Sequence, residues 1–231
     1  MANKETNMEQ DALSKAGAIF DERRKQLLIV VGVIVIVLLA AFGYQYLIAA
    51  PRADKASTAL GKGEEYFAMQ QYDKALNGDG TGYAGFVQIA DEYGSTDAGN
   101  LANLYAGLCY ANMNKWAEAE KYLDEYSTSD DAMISPASQA ALGDAYAHLN
   151  KLDEAVKSFK KAAKMADKQA PDGVSTSLSP IFLLKAGKIL ESLGKTEDAL
   201  ELYKDIKKKY VNSSLVASSE IDKYIERAQQ K

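Results

Sequence analysis

Hydrophobic positions divide the chain into two parts with different patterns. Residues 27–50 read LLIVVGVIVIVLLAAFGYQYLIAA, an apolar segment without a charged residue. At 1.5 Å per residue, a helix of this length reaches about 36 Å, enough to cross a hydrocarbon core of about 30 Å with some tilt. The pattern therefore predicts one membrane-spanning helix over residues 27–50. From residue 51 onward, apolar and polar positions recur instead with the spacing of amphipathic helices.

The charges that flank the span predict its orientation. Arg23, Arg24 and Lys25 stand directly before it, whereas only Arg52 and Lys55 lie close to its other end. Positive residues stay on the cytoplasmic side of a membrane. Residues 1–26 are therefore predicted to be a cytoplasmic N-terminal segment, either disordered or forming a short interfacial helix. Residues 51–231 are predicted to lie outside the cytoplasm. A cleavable signal peptide would have a shorter polar start and a small-x-small triplet before the cleavage point, and this chain has neither.

A repeat runs four times through residues 51–231. Each unit has a glycine, a large ring or leucine three positions later, and an alanine nine positions after that. The triplets are Gly63, Tyr66 and Ala75; Gly107, Tyr110 and Ala119; Gly143, Tyr146 and Ala155; Gly187, Leu190 and Ala199. We interpret each unit as a helical hairpin in which the glycine allows close approach of the two helices and the alanine lies where the return helix crosses. Asn112 to Asn114, Asn150 and Gly194 are the predicted stops of the first helices.

Turn and capping signals predict the bounds of these units. They cover about 53–93, 97–131, 135–168 and 179–211, and a capping helix over 213–230 follows. Thr96, Ser135, Ser179 and Thr196 are the predicted N-caps, because a hydroxyl before a helix can accept a bond from a free backbone N–H. The run Asn77-Gly-Asp-Gly-Thr-Gly82 is predicted to interrupt the first return helix, which should resume at Tyr83.

Three of the units resemble the tetratricopeptide repeat (TPR), which has a period of about 34 residues. The segments are GLCYANMNKWAEAEKYL, GDAYAHLNKLDEAVKSF and GKILESLGKTEDALELY, with a fair match in GEEYFAMQQYDKAL. The resemblance implies an all-α protein in which an N-terminal transmembrane helix precedes a TPR-like α-solenoid of helical hairpins with a C-terminal capping helix.

The residues needed for most enzyme chemistry are missing. His148 is the only histidine and Cys109 the only cysteine, so histidine triads, internal disulfides and cysteine-ligated zinc lack parts. The glycine-rich run carries neither the Gly-Lys-Ser/Thr of a phosphate loop nor the alternating acids of a calcium loop. The formal net charge is −5, with both signs interspersed, which does not favour nucleic acid as a partner. We therefore predict no enzyme activity, no catalytic, cofactor-binding or metal-binding residues, and no cofactor.

A protein-binding groove is predicted along the first helices. The residues expected to line it are Phe67, Leu104, Leu108, Asn112, Asp144, His148, Lys188 and Glu191. Some tetratricopeptide repeats bind a C-terminal carboxylate through Lys, Asn and Arg, but acids and leucines stand in the corresponding places here. The groove therefore favours a helix or an extended apolar segment. The alternative, that helix packing buries the leucines, stays open.

The order of elements is similar to that of the YfgM-like tetratricopeptide proteins of Bacteroidetes-type bacteria. The likeness includes LNGDG in the first unit and AGNLANLYAGLCY in the second. It implies a single-pass protein of the bacterial inner membrane with a periplasmic repeat domain. It further implies an ancillary subunit of the SecYEG translocon that works with a periplasmic chaperone, with translocon subunits, a membrane-anchored chaperone or nascent chains as partners. The alternative is a structural scaffold in envelope assembly or cell division.

Overall fold

The computed structural model describes residues 23–26 and 28–230, and this part of the chain is helical without any strand. The predicted cytoplasmic segment 1–26 lies outside the described residues except for 23–26, and so does Leu27. The chain divides into two compact units, one ending at Arg52 and the other beginning at Ala53.

The first unit contains the apolar helix. Residues 28–44 form helix α1, and one π-helical turn, Gln45–Ala49, follows. Its large apolar side chains are exposed, from 47% at Val31 to 80% at Leu47. Of the residues that the structure describes, only the helical stretch Arg23–Ala68 is long and apolar enough to cross a membrane. The N-terminal apolar helix is thus confirmed as a candidate span, and its orientation stays a prediction.

The second unit is a series of antiparallel helical hairpins. In the three later hairpins the two helices pack on one another, and α4 on α5, α6 on α7, α8 on α9 and α10 on α12 join the successive units. In the first hairpin, Leu60 and Leu76 share one core cluster. The helices are α2 (Ala50–Ala68), α3 (Tyr72–Asn77), α4 (Phe86–Tyr93), α5 (Asp97–Asn112), α6 (Trp116–Glu125), α7 (Ile134–His148), α8 (Leu152–Gln169), α9 (Ser179–Ser192), α10 (Thr196–Lys209), α11 (Ser214–Ala217) and α12 (Glu220–Gln229).

The repeated glycines are the points of closest approach within the hairpins. A Cβ on Gly107 would lie 2.6 Å from Cγ of Leu123, and one on Gly187 would clash with the ring of Tyr203. In both hairpins the opposing side chain comes sixteen positions later, on the return helix. The repeated alanines Ala119, Ala155 and Ala199 are fully buried. The predicted role of the glycines and alanines is therefore confirmed, and the large residue of the return helix fills the space over the glycine.

Each hairpin turns through one residue in the left-handed region, seven positions after the glycine. These residues are Gln70, Asn114, Asn150 and Gly194, with φ of 59°, 59°, 60° and 73°. The next residue donates its backbone N–H back into the helix, as Lys115 does to the Tyr110 carbonyl at 2.9 Å. The predicted stops at Asn114, Asn150 and Gly194 are confirmed because Asn and Gly tolerate this conformation. Gln70 takes the same turn without that sequence signal.

Three of the four predicted N-caps are wrong. Only Thr96 caps its helix, where its side chain accepts the N–H of Gly99 at 3.1 Å. Ser135 lies inside α7, which begins at Ile134, while Ser179 and Thr196 are the first residues of α9 and α10 and not their caps.

A carboxylate takes the place of the predicted serine cap at α7. Oδ1 of Asp131 accepts the N–H groups of Met133, Ile134 and Ser135 at 2.9, 2.5 and 3.1 Å. A carboxylate has enough lone pairs to satisfy several N–H groups at once, which a single hydroxyl cannot do.

The interrupted return helix of the first unit resumes later than predicted. It ends at Asn77 and continues at Phe86, while Tyr83 lies in the loop between them. Gly78 and Gly85 hold φ values of +91° and +95° that are incompatible with a helix. Tyr83 is nonetheless buried, and its hydroxyl donates to the carbonyl of Ala75 at 2.8 Å.

Asp79 organises this loop from within. Its carboxylate accepts the N–H groups of Thr81 and Tyr83 at 2.8 and 3.0 Å and the Tyr66 hydroxyl at 2.8 Å. The ammonium of Lys62, followed by these two N–H groups, holds the pKa of Asp79 well below its usual range. The glycine-rich run thus serves as a packed connection. Among the described residues no group of three or more His, Cys, Asp or Glu could hold a metal ion.

The segment predicted as one capping helix forms two. Ser219 separates α11 from α12 with a left-handed φ of 58°. Ile221 and Ala228 of α12 are buried against the last hairpin. Together α11 and α12 cover the apolar end of the repeats.

Candidate interaction surface

A ladder of contacts runs along the inner face, where the first helices α2, α5, α7 and α9 follow one another. In three of these steps the polar residue just after a repeated glycine lies close to a residue of the next helix. Burial, followed by the nearby carboxylate of Glu64, raises the pKa of Tyr105 on α5. Asp144 pairs with Lys185 at 2.7 Å. Lys188 stands 5.6 Å from the ring centroid of Tyr224. Most polar residues predicted for the groove are therefore engaged between neighbouring units.

The leucines of the inner face are mainly packing residues. Leu104 is 7% exposed and belongs to a core cluster with Leu123 and Leu142. Leu108 is half-buried against the same cluster. The alternative that helix packing buries the leucines therefore holds for Leu104, while Leu108 keeps part of its surface open.

Two further residues of the predicted groove lie near the turns of the first two units. Phe67 is half-buried and makes edge contacts with Tyr72 and Tyr105 at centroid distances of 5.7 and 5.2 Å. Asn112 is exposed, and its side-chain amide donates to the carbonyl of Leu108 at 2.8 Å. Both side chains keep surface that a partner could contact.

Among the described residues, His148 makes the shortest and most nearly parallel ring contact. Its ring stacks on Trp116 with a centroid distance of 3.7 Å and an interplanar angle of 2°. Trp116 begins α6 and His148 ends α7, so the stack joins the second unit to the third. The imidazole is exposed at its other face. This flat pair of rings is suited to contact with an apolar side chain of a partner.

Helix α12 contacts the two groove residues predicted in the fourth unit, Lys188 and Glu191. The carboxylate of Glu191 accepts the Tyr203 hydroxyl at 2.8 Å and the guanidinium of Arg227 from α12. Burial, followed by the bond to Glu191, raises the pKa of Tyr203 and keeps this hydroxyl a donor. Lys188 and Glu191 therefore serve the contact with α12, whereas Phe67, Leu108, Asn112 and His148 remain accessible along the preceding units.

A cleft that sequence reasoning missed opens between return helices α6 and α8. It holds about 600 Å³ above α7, with Leu142 and Tyr146 among its apolar lining and Lys157 and Glu154 at its rim. Its floor is polar, because the Gln139 amide donates to Oγ of Ser158 at 2.5 Å. The cleft exists because α6 ends at Glu125 while α8 continues to Gln169. The only signal in the sequence is the early stop of α6.

The lone cysteine lies in a hydrophobic core cluster. Cys109 is fully buried, and burial raises the pKa of its thiol to about 12. A thiol at that pKa is neutral near pH 7 and is a poor nucleophile. Cys109 packs in the core between the first and second units, in one cluster with Phe86 and Ile89.

Comparison with known proteins agrees with this architecture. Residues 136–169, and separately residues 101–129 and 182–213, match models of the tetratricopeptide repeat. Nearly identical TPR-like repeats of a kinesin light chain from Podosopora anserina share the fold with a TM-score of 0.52 and 12% identity, over 77% of this chain and 95% of theirs. A variant of that protein covers the same share of this chain, 94% of its own, at the same identity and TM-score. No curated protein sequence matches the chain.

The fold defines an all-α repeat protein of the scaffold class. More particularly, three of its units are tetratricopeptide repeats and the chain has a TPR-like helical fold. Such repeats mediate protein–protein interactions and are typically non-enzymatic.

Proposed function

We propose that the chain is a membrane-tethered TPR scaffold that binds proteins outside the cytoplasm. The exposed apolar side chains of helix α1 support the tether, because a helix apolar on all sides is stable in hydrocarbon. Arg23, Arg24 and Lys25 support an orientation with the repeats on the far side of the membrane. The single observation that carries the binding role is the presence of tetratricopeptide repeats at 101–129, 136–169 and 182–213.

The accessible part of the inner face is the proposed working surface. Leu108 and the Trp116–His148 stack offer apolar and aromatic contact area at the junctions of units two and three. Tethering confines this surface close to other proteins of the same membrane. A high effective concentration then raises the occupancy of contacts that are individually weak.

The proposed partners are subunits of the SecYEG translocon and a membrane-anchored periplasmic chaperone. Support comes from the likeness in element order and in the segments LNGDG and AGNLANLYAGLCY. A scaffold that handles chains emerging from a translocon needs no chemistry of its own. The partially apolar inner face agrees with contacts to helical or extended apolar segments.

The test is site-specific photo-crosslinking in intact cells with the full chain. A crosslinker at Leu108 or His148 should capture a specific membrane-anchored protein, whereas one at the exposed Lys204 of α10 should not. Translocon subunits among the products support the finer proposal, and cell-wall enzymes would favour a scaffold in envelope assembly or cell division. Further crosslinkers are placed within residues 1–50. If only these capture the partner, the inner face is not the working surface.

A separate experiment checks the orientation. Protease added to intact spheroplasts should digest the region after Pro51. Protection of that region until the cells are lysed would reverse the proposed topology.

A further inference from the structure

Lysines of helix α8 collect on one side of the helix. The lysine face consists of Lys157, Lys160, Lys161, Lys164 and Lys168, all exposed. Their spacing of i, i+3, i+4, i+7 and i+11 places them within about a third of the helix circumference. The chain carries a formal net charge of −5, yet the fold concentrates positive charge at this surface.

Much of this positive charge is not neutralised. Lys168 pairs with Asp130 at 2.9 Å, but the ion pairs among the described residues do not involve Lys160 or Lys164. Lys160, Lys164, Lys168 and Lys209 surround a cleft of about 410 Å³ in which Asp167 is the sole carboxylate among the described lining residues.

The carboxylate of Asp167 is already occupied. It accepts the Ser179 hydroxyl at 2.6 Å, the Tyr210 hydroxyl at 2.7 Å and the Lys209 ammonium at 2.5 Å. The N–H of Ser175 adds a fourth bond at 2.9 Å. The cleft therefore presents two lysines, Lys160 and Lys164, to an anion from outside.

Exposed aliphatic side chains lie on the side of the repeats where the first helices begin and the return helices end. The C-terminal part of the lysine face reaches the same side. This apolar edge consists of Met133, Ile134, Ile181 and Val211, which are 44 to 70% exposed. Hydrogen bonds join the beginnings of first helices to the ends of return helices along it. Asn100 accepts from Ser127 at 2.8 Å, and Ser179 donates to Asp167 at 2.6 Å. Helix α8 ends at the same edge, so Lys164 and Lys168 border it.

The repeat frame places the start of the repeat region at this edge as well. Helices α2 and α5 are equivalent first helices, with Gly63 in the place of Gly107, so both begin on the same side. Residue 53, where the second unit starts, corresponds in this frame to Asp97 at the start of α5, since each precedes its repeated glycine by ten positions.

We propose that the lysine face and the apolar edge bind the anionic headgroups of a phospholipid membrane. The inference rests on the proposed tether, which keeps the repeat region close to lipid. Clustered lysines are attracted to anionic lipid, and adjacent aliphatic side chains add contact with the acyl boundary. An acidic protein would match the lysines but would leave the neighbouring aliphatic side chains without a role.

Fluorescence quenching tests the proposal with the full chain in vesicles. Cys109 is replaced by alanine, and an environment-sensitive fluorophore is attached through Ile181→Cys. Lipids with a nitroxide at the headgroup should quench this label in vesicles containing phosphatidylglycerol, and much less in vesicles of phosphatidylcholine alone. A label at Met69→Cys, which is also exposed but lies at the hairpin turn of the first unit, should not be quenched in either kind of vesicle.

Charge variants show whether the lysines cause the contact. The triple variant Lys160→Gln, Lys164→Gln and Lys168→Gln should reduce the quenching to its level in phosphatidylcholine. The control triple Lys115→Gln, Lys121→Gln and Lys223→Gln removes the same charge elsewhere and should retain it. High salt should release the contact because it screens exposed charges.

Two outcomes would overturn the proposal. One is equal quenching of the Ile181 label in both kinds of vesicle, and the other is quenching that survives the Lys160, Lys164 and Lys168 triple variant. Failure of the tether is recognised separately, because a chain without a membrane span would be removed from phosphatidylcholine vesicles by alkaline washing. A chain that resists washing but shows no quenching refutes the lipid contact alone.

Discussion

The ring of Phe159 on α8 occupies the space that Gly143 leaves open on α7. A Cβ at Gly143 would lie 3.1 Å from three carbons of that ring, and Phe159 is 1% exposed. The contact recurs with the same offset between Gly107 and Leu123 in the second unit. One local packing rule therefore holds the hairpins together, and it requires a residue without a side chain at one position of each.

The first prediction is that Gly143→Leu destabilises the repeat region. Overpacking this contact should lower the free energy of unfolding by about 1–3 kcal/mol or more, because the buried ring of Phe159 already occupies the space that the new side chain needs. Urea unfolding followed by circular dichroism measures the change. Gly61→Leu is the matched control, since no atom lies within 4 Å of a Cβ there. Equal destabilisation by the two substitutions would refute the packing rule.

The second prediction concerns Asp167, whose carboxylate joins α8 to α9 and α10. Asp167→Ala removes the shared partner of Ser179, Lys209 and Tyr210 at once. The Ser179 hydroxyl keeps the Ala163 carbonyl at 2.9 Å, whereas the buried Tyr210 hydroxyl loses its acceptor. We expect a loss of about 2–3 kcal/mol in the free energy of unfolding. The exposed Asp172→Ala should change it by less than about 0.5 kcal/mol. A thermal denaturation series that shows similar midpoints for both variants would contradict this role.

The third prediction is a pH dependence from the cap of α7. Burial opposes ionisation of Asp131, but hydrogen bonds from Ser135 and from the N–H of Met133 lower its pKa to about 2. The unfolded value is about 3.9, so the group stabilises the fold above about pH 4 and loses that contribution as pH falls towards 2. The thermal midpoint of the wild type should approach that of Asp131→Asn over this interval. A difference between them that stays constant from neutral pH to pH 2 would exclude the effect.

The fourth prediction is that Cys109 is inert in the folded protein. Burial holds its thiol at a pKa of about 12, so a maleimide should modify it only after denaturation. Mass spectrometry before and after urea treatment measures the labelling. Rapid modification under native conditions would show that the second unit opens readily at this position.

Much of the fold follows from local sequence patterns. The glycine and alanine positions identify the hairpin contacts, and Asn114, Asn150 and Gly194 mark the turns, because close approach and a left-handed backbone each restrict the allowed residue types. Gln70 could not be identified in this way. It adopts the same left-handed turn between two packed helices, although glutamine has no preference for that conformation. The cap of α7 is not visible in the sequence pattern, because the helix begins one residue earlier, at Ile134, and Asp131 accepts the N–H groups at that start.

The sequence by itself determined the apolar helix, the number of hairpins and the points where their helices touch. These features depend on residues within one span or one unit, and their spacing is visible along the chain. Only the tertiary structure decided which polar groups are engaged, because their partners come from neighbouring units. Lys151 meets Glu120 across 31 positions and Tyr210 meets Asp167 across 43. The same packing left the cleft between α6 and α8 open and brought the lysine face beside the apolar edge, since both depend on where each helix ends relative to its neighbours.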